Sequence, residues 1–145
     1  MSVAIRDDRR AYDAFLERVK SVRSGAVEVG VAPVPHGRGK NAAEIGLIHE
    51  YGLGVPQRSF LRSWVDRQGK RIGIMIKNFT REALMGGKPW QEAFGEYAVC
   101  GVRQNIRTNL PPPLAEETIE RKGHDLALVD TEILIKAITW EVVEK

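Results

Sequence analysis

The sequence predicts an α+β fold, in which a small, mainly antiparallel β-sheet packs against two long α-helices, with an additional N-terminal helix. Apolar residues recur with helical spacing over about 59–84 and 89–108, which predicts the two long helices. Apolar and polar residues alternate over 26–32 and 137–143, which predicts two strands. A chain of 145 residues suffices for one hydrophobic core, so we expect one domain over 1–145.

The N-terminal part of the chain predicts a helix and then a strand. Asp7 and Asp8 are candidate caps, and the helix should end near Arg23 because Ser24 and Gly25 follow. Its apolar residues have three- and four-residue spacing: Tyr12, Phe15, Leu16, Val19 and Val22. The segment "AVEVGVA" alternates valine with glutamate or glycine, which predicts the first strand.

Prolines and glycines interrupt residues 33–40 around a basic centre, which predicts an exposed, flexible loop. Asn41 is a candidate cap for the short helix "AAEIGLIHEY", and Gly52 is its C-terminal stop.

The segment "MGGKP" separates the two long helices, and Pro89 suits the first turn of the second one. In that helix, Gly95 and Gly101 predict close packing against the preceding helix. Cys100 falls within the apolar period, so we expect an inert core thiol.

The C-terminal part begins with an irregular segment, 110–114, which its prolines stiffen towards an extended shape and which we expect to be flexible. A helical turn, "AEETIERK", follows and Gly123 closes it. The segment "AITWEVV" then predicts a closing strand, whose natural partner is the valine strand near the start.

Charge is unevenly distributed along this mildly basic chain, which has a net charge of +3. Residues 58–81 contain seven basic residues and one acid, whereas the part from Pro111 onward contains eight acids and four bases. This pattern favours head-to-tail contact with a second copy or contact with nucleic acid, and solvated helix faces of either sign explain it equally well.

The composition also indicates in which cellular compartment the protein is expected. Cys100 is the single cysteine, so neither an intramolecular disulfide nor a cysteine-based zinc site within one chain is expected. The start lacks the apolar block of a signal peptide, and no apolar run approaches the ~18 residues of a membrane span. We therefore expect a soluble protein of a reducing interior with no membrane partner.

The stretch "HEYGLGVPQRSFLR" begins like the zinc-protease motif His-Glu-x-x-His, but Leu53 stands at the second histidine position. The chain has only His36, His49 and His124, so a metal site or metalloenzyme is not expected. We interpret His49 as an interface or half-buried histidine at a helix end, where the dipole would favour its charged form.

No cofactor site or other catalytic motif is predicted. The segment "HGRGKN" departs from the phosphate-loop pattern at Val34 and Asn41, and the chain has no Gly-x-Ser-x-Gly elbow. The "NFT" at Asn78 lies on a helix face of a chain without a secretion signal, so we do not interpret it as a glycosylation site.

A DNA-binding module is the alternative functional class. Trp64 and Phe79 fall on the apolar stripe rather than among exposed basic residues, which favours a core role for both aromatic side chains. The residues that would contact DNA are Arg58, Arg62, Arg67, Lys70, Arg71 and Lys77.

Three segments, taken in order, resemble the tail-completion or head–tail joining proteins of tailed bacteriophages, also called virion morphogenesis or minor tail proteins. They are "AAEIGLIHEYGLGVPQRSFLR", "LPPPLAEETIERKG" and "LVDTEILIKAITWEVVEK". Two positions depart from the family pattern: Glu132 stands where glycine is usual and Ala137 where serine is frequent. The turn before the last strand is therefore expected to differ.

This resemblance implies a structural virion protein without enzymatic activity or cofactors. Such a protein forms a homo-oligomeric ring, usually of six copies, at the head-proximal end of the tail or in the neck. It is made in the host cytoplasm, contacts neighbouring connector, tube or terminator proteins, and lies close enough to the DNA channel for weak contact with DNA. Segments 33–40 and 110–114 would become ordered on assembly.

The candidate interface residues are His36, Arg38, Lys40, His49, Glu50, Arg58, Arg62, Pro112 and Asp130. Arg58 and Arg62 lie near the start of a long helix, where the dipole does not favour cations. We therefore expect them to pair with acids of a neighbouring subunit, with the acidic C-terminal part as the candidate partner.

Overall fold

A computed structural model of the chain describes residues 8–36, 39–123, 128 and 132–144. The elements in this part of the chain are α1 (Arg10–Arg23), β1 (Ala26–Val31), β2 (Pro35–His36), β3 (Lys40–Asn41), α2 (Ala42–Tyr51), α3 (Phe60–Leu84), α4 (Trp90–Arg107), α5 (Glu116–Lys122), α6 (Ile133–Ala137) and β4 (Ile138–Val143). The α+β fold class is confirmed. None of the helices in these ranges is both long and apolar enough to cross a membrane.

The larger of the two described sheets joins the strand that follows α1 to the last strand of the described chain. Strands β1 and β4 pair antiparallel, with Val29 opposite Trp140 and Val31 opposite Ile138. This pairing of the valine strand with the closing strand is confirmed. Because side chains alternate between the two faces of a strand, the register keeps Val27, Val29 and Val31 on one face, where they pack against the core.

Helix α4 supplies more buried apolar side chains to the core than any other described element. Its apolar side chains recur every three or four residues and are buried: Phe94, Ala98, Val99, Val102 and Ile106. They meet Phe60 and Trp64 of α3 on one side and Leu134, Ile135 and Ile138 on the other. Fully burying an aliphatic or aromatic side chain of this size stabilises a fold by roughly 1.5–3 kcal/mol. The predicted core positions of Trp64 and Phe79 are confirmed.

Two glycines of α4 permit close approach of tryptophan rings. A Cβ atom at Gly101 would lie 2.3 Å from Nε1 of Trp64 in α3, as predicted for packing against the preceding helix. At Gly95 a Cβ would lie 2.2 Å from the ring of Trp140, which belongs to β4. The prediction for Gly95 therefore named the wrong partner, since this glycine faces the sheet.

Helix α3 is kinked rather than continuous. Gly69 has φ 28° and ψ −111°, a non-helical conformation inside the predicted long helix. The apolar period continues on both sides of this position, so the pattern alone did not reveal the break. Helix α1 packs beside the C-terminal end of α3, where a Cβ at Gly86 would lie 2.9 Å from the Arg18 guanidinium.

The structure corrects four local predictions. Cys100 is exposed, because it lies one position beyond the buried Val99, outside the inward stripe of α4. Pro89 is the residue before α4 rather than its first residue. Residues 33–40 are not wholly irregular, since β2 pairs with β3. Finally, a helix, α6, precedes the closing strand, and Glu132, the residue before that helix, has φ 56°.

Candidate functional site at the junction of helices α2 and α3

The site is the stretch "HEYGLGVPQRSFLR", which links α2 to α3. Helix α2 begins with a capping box, in which Asn41 Oδ1 accepts from the Glu44 amide at 2.9 Å and the Asn41 amide donates to Glu44 Oε2 at 2.9 Å. It ends at Gly52, whose left-handed conformation allows its N–H to reach the Ile48 carbonyl. The predicted cap and stop are both confirmed, so local sequence sets where the junction begins.

Glu50 connects the end of α2 to the start of α3. Its carboxylate accepts from the backbone amides of Leu61 and Arg62, each at 3.0 Å. The residue before α3, Ser59, makes no capping bond of its own and instead donates its hydroxyl to the Glu50 carbonyl at 2.8 Å. Glu50 thus acts as the cap of α3, because a carboxylate stabilises the exposed amides and the positive end of the dipole.

Arg58 connects the junction to the proline segment. Its Nε donates to the Pro112 carbonyl at 2.9 Å and its Nη2 to the Pro113 carbonyl at 3.3 Å. Only 4% of the residue is exposed. The Arg58 amide also donates to the His49 carbonyl at 2.8 Å. Arg58 therefore holds three segments together within one chain, and the predicted pairing with a neighbour's acid is not available to it.

A cavity of about 570 Å³ lies beside this junction. Apolar side chains of Ile45, Leu114, Leu128 and Leu134 line it together with polar and cationic groups. Those groups come from α2, the junction and α5: His49, Arg58, Thr118, Arg121 and Lys122. The His49 Nδ1 atom is buried there without a hydrogen-bond partner in the described part of the chain.

The environment of His49 favours the neutral imidazole. Burial lowers the pKa of His49 below its usual range, and the positive charges of Arg58 and Lys122 lower it further. The helix dipole was expected to favour the charged form, and that expectation is wrong. Loss of water and two nearby cations outweigh the partial charge of one helix end.

The His-Glu pair has no metal partner in the described ranges. No group of three histidine, cysteine or acidic residues lies close enough together there to hold a metal ion. Both oxygens of the Glu50 carboxylate accept hydrogen bonds from backbone amides of α3. Leu53, which stands at the position of the second histidine in the zinc-protease motif, is exposed after the end of α2. The Glu50 carboxylate of this pair therefore serves the junction.

The basic residues after Arg58 point outward. Arg62, Lys70, Arg71 and Lys77 are exposed along α3. Arg67 is exposed as well, and its Nη1 donates to Asn105 Oδ1 of α4 at 2.8 Å. Of the six residues predicted to contact DNA, Arg58 is therefore buried. The other five form an exposed basic surface on both sides of the Gly69 kink.

The other candidate interface residues lie in different places. His36 is opposite Lys40 in the β2–β3 ladder, directly before α2. Pro112 is exposed and accepts the bond from Arg58. Arg38 and Asp130 lie outside the described residues. The structure thus brings His49, Glu50, Arg58, Arg62 and Pro112 to one junction. His36 and Lys40 lie apart from them, in the β2–β3 pairing directly before α2.

Sequence reasoning missed the polar groups that complete the junction. Asn105, buried among the apolar residues of α4, donates to the Phe60 carbonyl and to Ser63 Oγ, each at 2.8 Å. Gln57 Nε2 donates to the Glu50 carbonyl at 3.0 Å. An asparagine within an apolar stripe was the available signal, since a buried amide requires partners.

Comparison of the chain with models of protein families, with curated proteins and with solved structures finds no match to any of them.

Proposed function

We propose that this chain is a structural virion protein of a tailed bacteriophage that completes the tail. It forms a homo-oligomeric ring, with six copies as the expected number, at the head-proximal end of the tail or in the neck. Its partners are further copies of itself, connector proteins above the ring, and tube or terminator proteins below it. The role requires stable geometry and specific contacts rather than a reaction.

One observation carries this proposal. The first of the three segments that resemble the tail-completion proteins is distant in sequence from the other two, yet all three meet at one junction. Arg58, in the first segment, binds the carbonyls of Pro112 and Pro113 in the second. Leu134, in the third, lines the cavity beside the same junction. Residues that serve a shared structural purpose are expected to converge in this way.

The junction has the construction expected of a structural joint. Glu50 sets the start of α3, Arg58 secures the proline segment, and Asn105 ties the first turn of α3 to α4. Bonds from charged groups are about twice as strong as neutral ones. Such a junction maintains the angle between α2 and α3, which a ring subunit needs for its contacts to repeat identically.

The proposal is tested with purified tail tubes that lack their head-proximal terminal protein. We expect the purified chain to bind one end of each tube, visible by negative-stain electron microscopy, and to co-sediment with tubes in a fixed ratio. An unrelated basic protein of similar size is the control for nonspecific adsorption. Binding along the tube walls, or no binding at saturating protein, would contradict the tail-completion role.

The exposed basic surface of α3 favours DNA binding as the second candidate function. Lys70, Arg71 and Lys77 are exposed. A protein that neutralises Z phosphates binds duplex DNA with a salt slope of about −0.9Z. If DNA binding is the function, a Lys70→Glu, Arg71→Glu, Lys77→Glu variant should lose most of its affinity and slope. Tight, salt-sensitive binding by a chain that ignores tubes would favour this candidate.

A further inference from the structure

The cavity beside the α2–α3 junction, called the junction cavity, has the size of a small-molecule site. Its volume is about 570 Å³, within the range of about 300–1,000 Å³ that is typical of ligand pockets. Segments that are distant in sequence line it, among them α2, the turn before α3, the proline segment and α5. The bonds from Arg58 to the Pro112 and Pro113 carbonyls join two of these segments. The cavity therefore follows from the way the fold is held together.

One part of the cavity wall is apolar. Ile45 of α2, Leu114 after the prolines and Leu134 of α6 contribute aliphatic side chains to it. Leu134 is a buried core residue, and Leu114 packs against the same core. A hydrocarbon group placed against these side chains would leave water, which favours binding roughly in proportion to the apolar area buried. This part of the wall is suited to a ligand with an apolar body.

Arg58 contributes a buried cation to the wall. Its side-chain hydrogen bonds in the described chain go to the uncharged carbonyls of Pro56, Pro112 and Pro113. None of the ion pairs among the described residues involves Arg58, although buried charges in proteins are usually paired. These bonds engage three of the five N–H groups of the guanidinium, so two remain. The two oxygens of one carboxylate can accept both.

Other polar groups of the wall add positive charge and hydrogen-bond donors. Arg121 and Lys122 of α5 contribute two further cations, and Thr118 contributes a hydroxyl group. The Nδ1 atom of His49, which has no hydrogen-bond partner in the described part of the chain, can donate when the neutral ring carries its proton there. None of the described residues that line the cavity is acidic. The described wall therefore attracts an anion.

We propose that the junction cavity binds a small monocarboxylate with an apolar body, of the class of medium-chain fatty acids. Its carboxylate accepts hydrogen bonds from the Arg58 guanidinium and from His49 Nδ1. Its hydrocarbon chain lies against Ile45 and Leu134. The bound acid supplies the negative charge that Arg58 lacks among the described residues, and its chain covers apolar wall that an inorganic anion would leave in contact with water. This binding does not rest on the proposed virion role.

Octanoate is the probe, and isothermal titration calorimetry measures its affinity for the full chain. We expect saturable binding of one octanoate per chain with a Kd of about 1 mM or lower. Affinity should rise about fourfold per added methylene from butyrate to octanoate, because each buried methylene contributes a similar increment. Octylammonium, which has a similar chain and a positive head group, should not bind. Phosphate, which has negative charge and no chain, should bind at least about tenfold more weakly.

Nuclear magnetic resonance spectroscopy locates the bound acid. Saturating octanoate should shift the Nε–H resonance of Arg58 and give nuclear Overhauser contacts between its chain and the methyl groups of Ile45 and Leu134. Tyr12 and Phe15 of α1 offer a different apolar surface, since they are 61% and 43% exposed. Contacts of octanoate with these two side chains instead of the cavity wall would overturn the inference.

Arg121→Glu tests the charge of the cavity wall without disturbing the core, because Arg121 is exposed. It should weaken octanoate binding at least about tenfold, the effect expected when one favourable contact with a charged group is lost. Arg81→Glu is the matched control, since Arg81 is exposed in the last turn of α3, outside the cavity, and the change in net charge is the same. That variant should keep the wild-type affinity. Circular dichroism confirms that both variants are folded.

Three results of the titrations would also overturn the inference. The first is the lack of saturation at about 10 mM octanoate, which would show that the cavity does not take the acid. The second is equal affinity for octanoate and either octylammonium or phosphate, because the site would then not recognise both the carboxylate and the chain. The third is an equal loss of affinity in Arg121→Glu and Arg81→Glu, which would assign the attraction to net charge rather than to the cavity.

Discussion

Glu50 and Arg58 stabilise the same junction through different physical effects. Glu50 places a negative charge at the amides of the first turn of α3, where the helix dipole is positive. Arg58 is buried and joins backbone carbonyls that are 54 and 55 residues away in sequence. The first effect stabilises one helix end, whereas the second joins distant segments.

Arg58→Ala should lower the free energy of unfolding by about 2–3 kcal/mol, because hydrogen bonds from a charged group contribute about 1.5–3 kcal/mol and its buried stem also packs. Arg62→Ala is the matched control, since Arg62 is exposed and uses only its backbone amide at the junction. We expect that change to cost less than about 0.5 kcal/mol. Urea denaturation measures both; equal effects would contradict the assigned role.

His49 should make the folded state sensitive to mild acid. Its pKa is lowered in the folded protein, so its contribution is complete above the ordinary value of 6.5 and is lost as pH falls towards the folded value. The unfolded state then binds the proton more readily. The slope for one proton cannot exceed about 1.4 kcal/mol per pH unit.

The measurement is the difference in urea stability between pH 7.5 and pH 5.5, for wild type and for His49→Gln. We expect wild type to lose more stability than the variant over this interval. Between pH 7.5 and pH 8.5 the two proteins should behave alike, because His49 is neutral in both states. An identical loss on acidification would show that His49 is not desolvated.

Two glycines, Gly95 and Gly101, determine how closely α4 packs against its neighbours. Gly101 lets Trp64 of α3 approach the helix backbone, and Gly95 does the same for Trp140 of β4. Each glycine lowers intrinsic helix stability by about 1 kcal/mol relative to alanine. The close contact of a large ring offsets this cost, and it places α4 between a helix and the sheet.

Gly101→Ala should destabilise the protein by about 1–3 kcal/mol, because the added methyl group overlaps the indole of Trp64 and neither can move without shifting the core. Gly73→Ala in α3 is the opposite case, since nothing lies within 4 Å of its Cβ position. That change should stabilise by about 0.5–1 kcal/mol. Thermal unfolding of both variants measures the contrast, and stabilisation by both would refute the close packing.

The kink in α3 separates two segments with different surroundings. Before Gly69, Phe60 and Trp64 are buried. After it, Ala83 is the one residue of α3 that is buried, and Ile74 is 59% exposed. The second segment together with α1 therefore retains apolar surface that the described chain does not cover.

Self-association predicts that thermal stability depends on protein concentration. If subunits contact one another in the folded state only, mass action raises Tm as concentration rises. We expect Tm of wild type to increase over a hundredfold range of concentration. Differential scanning calorimetry gives Tm at each concentration. A wild-type Tm that does not change would indicate that the fold gains nothing from other copies.

Much of the fold was predictable because its signals are local. The valine alternation in β1, the capping box at Asn41 and the stop at Gly52 depend on neighbouring residues, and each has the predicted structure. The candidate site was only partly predictable. The junction was identified, but Arg58 was assigned to an interface because no local pattern reveals that the carbonyls of Pro112 and Pro113 reach it.

The amino-acid pattern determined the α+β class, the order of the main helices and strands, and the ends of α2, since periodicity and capping act within a few residues along the chain. Contacts between distant segments decided the rest. They turned Arg58 inward, made neutral imidazole the favoured form of His49, and placed Gly95 against Trp140. Burial and through-space charge depend on which segments meet, and that is a property of the folded chain.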